Sequence, residues 1–233
     1  MTLDSTLKTL LIDADDTLWE NNIYFERVIE SFIAMMRDLN YEPSSVRKVL
    51  NEIEQKNIQL NGYGVCNFVR SLRETLLCLK GDPTDLEFYL GKIDTMADII
   101  FSHPIKLLGG VAEGLEYLSG RHRTILFTKG NSEEQRRKIE ASGLARFFYA
   151  VEIVREKDPQ AFLDLLRRYQ LSRESTWMIG NSPKSDINPA VAVGINAIYI
   201  PHARTWELEK ETLSCLERVT ILNSFSGLIG HFQ

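Results

Sequence analysis

The feature that most constrains the fold is an alternation of short apolar runs with amphipathic segments after residue 104. The apolar runs are typical of strands and cover residues 124–128, 149–154, 177–179 and 196–200. Apolar residues recur at helical spacing in the segments 110–118, 132–143, 159–169 and 184–193. Strands that alternate with helices indicate βαβ units, which build a parallel sheet covered by helices on both faces. The sequence therefore predicts an α/β fold.

A block of helical character separates this alternation from one earlier strand-like run, residues 7–13. Four segments of the block carry apolar residues at helical spacing: 25–39, 45–60, 67–80 and 83–101. The early run has no strand partner near it in the sequence, so we expect it to join the later sheet. Residues 1–18 and 104–233 are then one domain, and residues 19–103 are an inserted helical domain.

Composition excludes several classes of function. The 233 residues carry a net charge of -5, whereas nucleic-acid binders present a strongly basic face. No apolar stretch approaches the roughly 18 residues that suggest a membrane span, and no signal peptide is evident. The three cysteines are widely spaced, which favours free thiols in a reducing compartment. We expect a cytoplasmic protein without a nucleic-acid or membrane partner, while the oligomeric state stays open.

Polar residues follow each of four predicted strands, in the segments 13–18, 128–131, 155–159 and 180–186. Ligands bind outside the carboxyl ends of the strands in open parallel sheets, so we expect these segments to form one site. Asp13 and Asp15 face the same way in an extended segment. Two close carboxylates need a cation between them or a proton on one, which suits Mg²⁺ binding or general acid catalysis. An isolated pair of this kind is also common in solvated acidic turns.

Together the four segments resemble the motifs of the haloacid dehalogenase-like hydrolase superfamily, over residues 7–18 and 104–201. LLIDADDTLW resembles the first motif, an apolar strand followed by DxDx(T/V)(L/V), and ILFT before KGN resembles the second. EKDPQAF is similar to the lysine-bearing third motif, and MIGNSPKSDINPAVAVGINAI is similar to the fourth. The resemblance implies a Rossmann-like core. The helical block resembles the caps of this superfamily, which close over the site and select the substrate.

The resemblance also implies a role for each matching residue. Asp13 would attack phosphorus and form an aspartyl-phosphate, while Asp15 would protonate the leaving oxygen and later activate water. Thr128 and the backbone N–H groups of Lys129 and Gly130 would hold the phosphoryl oxygens. Lys157 would neutralise negative charge on the phosphoryl group and the nucleophile. Its EKDP context favours Lys157 over the other lysines of these loops.

A magnesium site is part of the same resemblance. The implied ligands are Asp13, the backbone carbonyl of Asp15, Asn181 and Asp186, the last of them directly or through water. The fourth motif usually begins Gly-Asp, whereas Gly180 is followed here by Asn181. An amide oxygen coordinates Mg²⁺ without bringing negative charge, so we expect a weaker metal affinity.

Other polar and aromatic residues receive no role in the site. Solvent-facing positions are expected for the side chains of Lys129 and Lys184 and for the basic run 136–138, which helical ion pairs explain. Asp16 points away from its neighbours on the strand. Two residues at the start of the insertion either touch substrate or pack the hinge: Trp19 and Glu20. Packing accounts for three aromatic residues of the insertion: Tyr24, Tyr63 and Phe68. The histidines show no metal-ligand spacing.

The expected activity is Mg²⁺-dependent hydrolysis of a small phosphorylated metabolite. A 2-haloacid dehalogenase is disfavoured because that branch typically replaces the second aspartate, which is present here as Asp15. A phosphomutase stays open, since the outcome depends on how the cap excludes water. A non-catalytic binding protein is suggested only by Asn181, against intact Asp13, Lys157 and Asp186. The sequence does not identify the substrate.

Overall fold

The computed structural model describes residues 7–80 and 85–233, and the chain divides into two compact units. The first unit comprises Met1–Glu20 and Ile105–Gln233, and the second comprises Asn21–Pro104. Trp19 and Glu20 therefore belong to the first unit and do not begin the insertion. The reason is local pairing, since Trp19 forms backbone bridges with Asp15 and Leu107. The expected start of the fourth helical segment at Pro83 lies outside the described residues.

The first unit is built on a six-stranded parallel sheet with the strand order β3-β2-β1-β4-β5-β6. The strands are β1 (Thr9–Ile12), β2 (Arg123–Lys129), β3 (Ala150–Val154), β4 (Thr176–Gly180), β5 (Asn196–Tyr199) and β6 (Val219–Ile221). The early run at β1 joins the later sheet, as predicted, where it pairs with β2 and β4, and all four of its residues are buried. The sequence did not predict β6, because its three residues carry too short a pattern to distinguish a strand from a loop.

The described part of the second unit, residues 21–80 and 85–104, contains four α-helices that share an apolar core. They are α1 (Asn22–Asp38), α2 (Pro43–Asn61), α3 (Val65–Lys80) and α4 (Leu86–Ser102). Helix α2 begins where the Glu42 side chain accepts the Ser45 N–H and Pro43 occupies the first turn. The core includes the predicted packing residues Tyr24 and Phe68.

Five further α-helices complete the described part of the first unit: α5 (Val111–Ser119), α6 (Ser132–Ser142), α7 (Pro159–Arg168), α8 (Asn188–Ala192) and α9 (Gly227–His231). A π-helical turn, Pro183–Ile187, leads into α8. Side chains alternate across a strand, so Leu10 packs into one apolar cluster and Leu11 into another. The sheet is thus covered on both faces. Among the described residues, none of the helices combines the length and apolar character needed to cross a bilayer.

Candidate active site

Asp13, Lys157 and Asp186 follow the carboxyl ends of β1, β3 and β4 and meet in one buried cluster. Lys157 Nζ donates hydrogen bonds to Asp13 Oδ1 and, at 2.6 Å, to Asp186 Oδ1. The lysine is only 3% exposed. Asp13 is placed by the end of β1, where its N–H donates to the Ile179 carbonyl at 2.9 Å. The parallel sheet therefore gathers three residues that lie as much as 173 positions apart in the sequence.

Charge in this cluster is only partly balanced, because two carboxylates share one lysine. Burial by itself would lower the pKa of Lys157, but the charges of Asp13 and Asp186 and the hydrogen bonds to them outweigh it and raise that pKa. Burial and the negative charge of Asp13 also raise the pKa of Asp186, against the opposing effect of Lys157. Such a cluster favours the entry of a further positive charge.

Thr17 and Thr205 orient the Asn181 amide. The Thr17 hydroxyl donates to Asp13 Oδ2 at 2.9 Å and lies 3.3 Å from Asn181 Oδ1. On the other side, Asn181 Nδ2 donates to Thr205 Oγ1 at 3.2 Å. The amide oxygen therefore lies next to the Thr17 hydroxyl, which also contacts Asp13. Sequence reasoning missed Thr205, which lies in a loop after β5 with no recognisable pattern.

The close approach of Asp186 to the end of β4 depends on a glycine. A Cβ atom at Gly180 would lie 2.2 Å from Asp186 Oδ2. The same carboxylate accepts the Ser182 N–H at 2.9 Å, within the loop that enters the π-helical turn. Turns of this π type occur frequently at functional sites. The glycine of the fourth motif thus provides the space in which Asp186 meets Lys157.

Within the described part of the chain, three side chains donate to Asp15, and one of them, Lys138, was expected to face solvent. Lys138 Nζ donates to both Asp15 oxygens at 2.7 Å, and Trp19 Nε1 donates to Oδ1 at 2.7 Å. Gln135 Nε2 lies 3.1 Å from Oδ2. The solvent-facing expectation for Lys138 is wrong, because α6 turns Lys138 toward Asp15 while Arg136 and Arg137 are exposed.

Gln135 also links Asp15 to Thr128. Its Nε2 atom lies 2.8 Å from Thr128 Oγ1 and 3.0 Å from the Lys129 carbonyl. Both Gln135 and Thr128 are buried. The Gly130 N–H was expected to donate to a phosphoryl oxygen, but in this structure it donates to the Val154 carbonyl at 3.1 Å. Strand β2 continues to Lys129, one residue beyond the predicted end, and this extension engages the Gly130 N–H in the sheet.

The solvent-facing expectation for the Lys129 side chain is also wrong, since this side chain is only 14% exposed and forms an ion pair with Glu209 at 2.6 Å. Ser182 and Ser185 also donate to Glu209, the first at 2.6 Å. Burial would raise the pKa of Glu209, but Lys129 and the serine hydroxyls outweigh burial and lower it. Sequence reasoning missed Glu209 because it lies 80 residues from Lys129 in a segment without periodicity.

The remaining predicted residues lie at the edge of this cluster or outside it. Asp16 is buried with a left-handed φ of 60°, and its Oδ1 lies 3.8 Å from His202 Nδ1. Lys184 is exposed, as expected, and its Nζ donates to the Leu208 carbonyl at 3.0 Å. Trp19 is buried in the core beneath the first motif.

The donor set fits a magnesium ion. Mg²⁺ prefers carboxylate, amide and carbonyl oxygens and a compact coordination shell. Asp13 and Asp186 bring negative charge that Lys157 only partly offsets, and the Asn181 oxygen and Asp13 both contact the Thr17 hydroxyl. The described residues contain no group of three or more His, Cys, Asp or Glu side chains able to hold a metal. An ion here would therefore need the amide and a backbone carbonyl as well as the two carboxylates.

Comparison with known proteins agrees with this architecture. The family model of the haloacid dehalogenase-like hydrolases matches residues 7–194. A haloacid dehalogenase-like family hydrolase from Xanthomonas campestris is 29% identical, with a TM-score of 0.83 over 99% of this chain and 93% of its own. No match was found among the curated proteins.

Two more distant structures share the fold alone. The YfnB protein of Bacillus subtilis, solved with bound magnesium, is 18% identical, with a TM-score of 0.64 over 98% of this chain and 100% of its own. A 2-haloacid dehalogenase from Pseudomonas syringae is 22% identical, with a TM-score of 0.59 over 95% and 96% of the two chains. Because the family model covers most of the sequence, the chain belongs to the haloacid dehalogenase-like hydrolases.

Proposed function

We propose that this haloacid dehalogenase-like hydrolase is a Mg²⁺-dependent phosphatase that acts on a small phosphorylated metabolite, with Asp13 as nucleophile. The observation that supports the proposal most strongly is the buried cluster of Asp13, Asp186 and Lys157. One lysine shared by two carboxylates leaves a net negative site beside the nucleophile. A divalent cation completes such a site, and it also neutralises the charge of a transferred phosphoryl group when bound.

In the proposed reaction, an Asp13 oxygen attacks phosphorus while the bond from phosphorus to the ester oxygen breaks. Lys157 and Thr17 hold the two Asp13 oxygens, so the carboxylate is oriented before substrate arrives. Asp15 gives a proton to the leaving oxygen, which departs as an alcohol. Asp15 then takes a proton from water, which attacks the aspartyl-phosphate, releases phosphate and restores Asp13.

The presence of Asp15 favours a phosphatase over a dehalogenase. A halide ion leaves without a proton, so a dehalogenase needs no general acid at this position. Here the Asp15 carboxylate is present and accepts hydrogen bonds from Lys138 and Trp19. The net negative charge around Asp13 also disfavours direct approach of a haloacid carboxylate without a cation. The similarity to a dehalogenase, at 22% identity, extends to the fold alone.

Release of phosphate from 4-nitrophenyl phosphate by the full chain, with Mg²⁺ or with EDTA, tests the proposal. We expect turnover with Mg²⁺, and a loss of about a thousandfold or more with EDTA or in Asp13→Asn. Asp38→Asn, an exposed aspartate of α1, is the matched control and should retain activity. Chloride release from 2-chloropropionate, measured in parallel, would contradict the proposal if it exceeded phosphate release. Turnover of neither substrate would favour a non-catalytic protein.

Metal binding has its own test at Asn181. Asn181→Asp adds a negative charge beside the Thr17 hydroxyl that also contacts Asp13, so we expect the Mg²⁺ dissociation constant to fall by about threefold to tenfold. Calorimetric titration of the variant and the wild type with Mg²⁺ measures this without substrate. An unchanged dissociation constant would show that Asn181 is not a metal ligand.

A further inference from the structure

We infer that Lys138 is a positioning residue that sets the orientation of the Asp15 carboxylate for proton transfer; this rests on the proposed phosphatase function. Lys138 Nζ lies 2.7 Å from each Asp15 oxygen, so the ammonium group bridges the whole carboxylate. The side chains of Lys138 and Asp15 are 19% and 24% exposed, so both are largely screened from solvent. None of the four motifs of the sequence contains Lys138.

Helix α6 places Lys138 where it can act on Asp15. The helix begins at Asn131, whose side chain accepts the N–H groups of Glu133 and Glu134. Residues three positions apart share one helix face, so Gln135 and Lys138 both point toward the first motif. Gln135 Nε2 lies 3.1 Å from Asp15 Oδ2 and 2.8 Å from Thr128 Oγ1. One helix face therefore connects the residue that moves the proton to the residue expected to hold phosphate.

The pattern of donors fixes the plane of the carboxylate. Asp15 Oδ1 accepts from Lys138 and Trp19, while Oδ2 accepts from Lys138 and lies near Gln135. To give or take a proton, one Asp15 oxygen must lose a hydrogen bond to its donors while the carboxylate group keeps its orientation. A bridging ammonium can do this, because it retains one oxygen while the other carries the proton. Without Lys138 the donors left among the described residues are Trp19 and Gln135, both neutral, and the carboxylate could rotate away from the leaving oxygen.

This role has a kinetic consequence that depends on the leaving group. A phenol made acidic by a nitro group leaves without much help from an acid, whereas unsubstituted phenol needs a proton. The parameter kcat/KM reports the first step, in which the leaving group departs. A loss of Asp15 positioning should therefore reduce kcat/KM more for phenyl phosphate than for 4-nitrophenyl phosphate. A loss of phosphate binding or of fold would reduce both equally.

The experiment compares Lys138→Met, Lys138→Arg and the exposed control Arg137→Met on these two esters with Mg²⁺. For Lys138→Met we expect a loss of about tenfold or more with phenyl phosphate and about threefold or less with 4-nitrophenyl phosphate. Lys138→Arg should restore most of the loss, since a guanidinium also binds a carboxylate through two hydrogen bonds. Arg137→Met should match the wild type on both esters.

Three outcomes would count against the inference in different ways. Equal losses on the two esters would show that Lys138 supports binding or folding, and thermal unfolding of the variant separates these two. Wild-type rates in Lys138→Met would show that the ion pair has no part in proton transfer. A wild type inactive on both esters would instead overturn the proposed phosphatase function, on which the inference depends.

Discussion

The sheet unit and the helical unit both bury acidic side chains, but they compensate the charge differently. In the sheet unit, Asp13 and Asp186 accept hydrogen bonds from a buried lysine, Lys157. In the helical unit, Glu54 of α2 is 6% exposed, and its Oε2 atom has no hydrogen-bond partner among the described residues. Burial raises the pKa of Glu54 to about 7, although the charge of Arg47 opposes this.

The difference shows what a functional arrangement adds to burial. The charge of Arg47 lowers the pKa of Glu54, but the Arg47 guanidinium donates two hydrogen bonds, at 2.8 and 2.9 Å, to Glu26. Burial is therefore the main influence on the Glu54 carboxyl, and it favours the protonated, neutral form. The carboxylates of the sheet unit instead receive donors from loops that are distant in sequence. A buried carboxylate that has specific charged partners is a better candidate for a catalytic residue than a carboxylate that is only buried.

Removal of the shared cation should give the largest effect. Lys157→Met leaves Asp13 and Asp186 buried without their lysine, which we expect to lower the free energy of unfolding by about 3–5 kcal/mol in EDTA. Mg²⁺ should recover part of this loss, since it supplies charge at the same cluster, while phosphatase activity stays lost. Denaturant unfolding with and without Mg²⁺ measures both. Lys184→Met is the exposed control, and equal stability of the two variants would contradict the role given to Lys157.

The second prediction concerns Glu54 and pH. Its folded pKa of about 7 lies above the ordinary value of 4.5, so the folded state binds the proton more tightly. The resulting stability is fully present below about pH 4.5 and is lost as pH rises through 7, by about 3 kcal/mol.

Glu54→Gln removes this dependence and should therefore be more stable than the wild type above pH 7 and similar to it near pH 4.5. Urea unfolding across this range tests it. Glu52→Gln, an exposed position of the same helix, should follow the wild type. A constant difference between Glu54→Gln and the wild type at every pH would refute the assignment.

The smallest effects should come from two glycines, one in each unit. Gly180→Ala forces a methyl group against the Asp186 carboxylate, and we expect a loss of about 1–3 kcal/mol together with reduced activity. Gly91→Ala places a methyl group at an exposed position of α4 with nothing within 4 Å, and should stabilise by up to about 1 kcal/mol. Thermal unfolding of both variants provides the comparison. A Gly180→Ala variant as stable as the wild type, or more stable, would mean that the space at Gly180 is not required for Asp186.

Sequence patterns predicted the sheet well where they were strong. The run at β1 is four buried apolar residues, and its lack of a nearby partner led to the correct expectation that it pairs in the later sheet. The sequence pattern was less informative for α6, the helix that carries Gln135 and Lys138. This helix is polar over most of its surface, with only Gln135 and Ile139 buried, so its periodicity does not reveal which face meets the site. A glutamine and a lysine three residues apart after the second motif were the available signal.

By itself, the sequence determined the α/β fold, the family and the order of the polar loops at the strand ends, because local periodicity and short motifs are written in neighbouring residues. Only the tertiary structure decided which donors meet each carboxylate. The pairs Lys138–Asp15 and Lys129–Glu209 join residues 123 and 80 positions apart. Such contacts depend on strand order, helix rotation and the exact end of β2, and these follow from the packing of the whole unit.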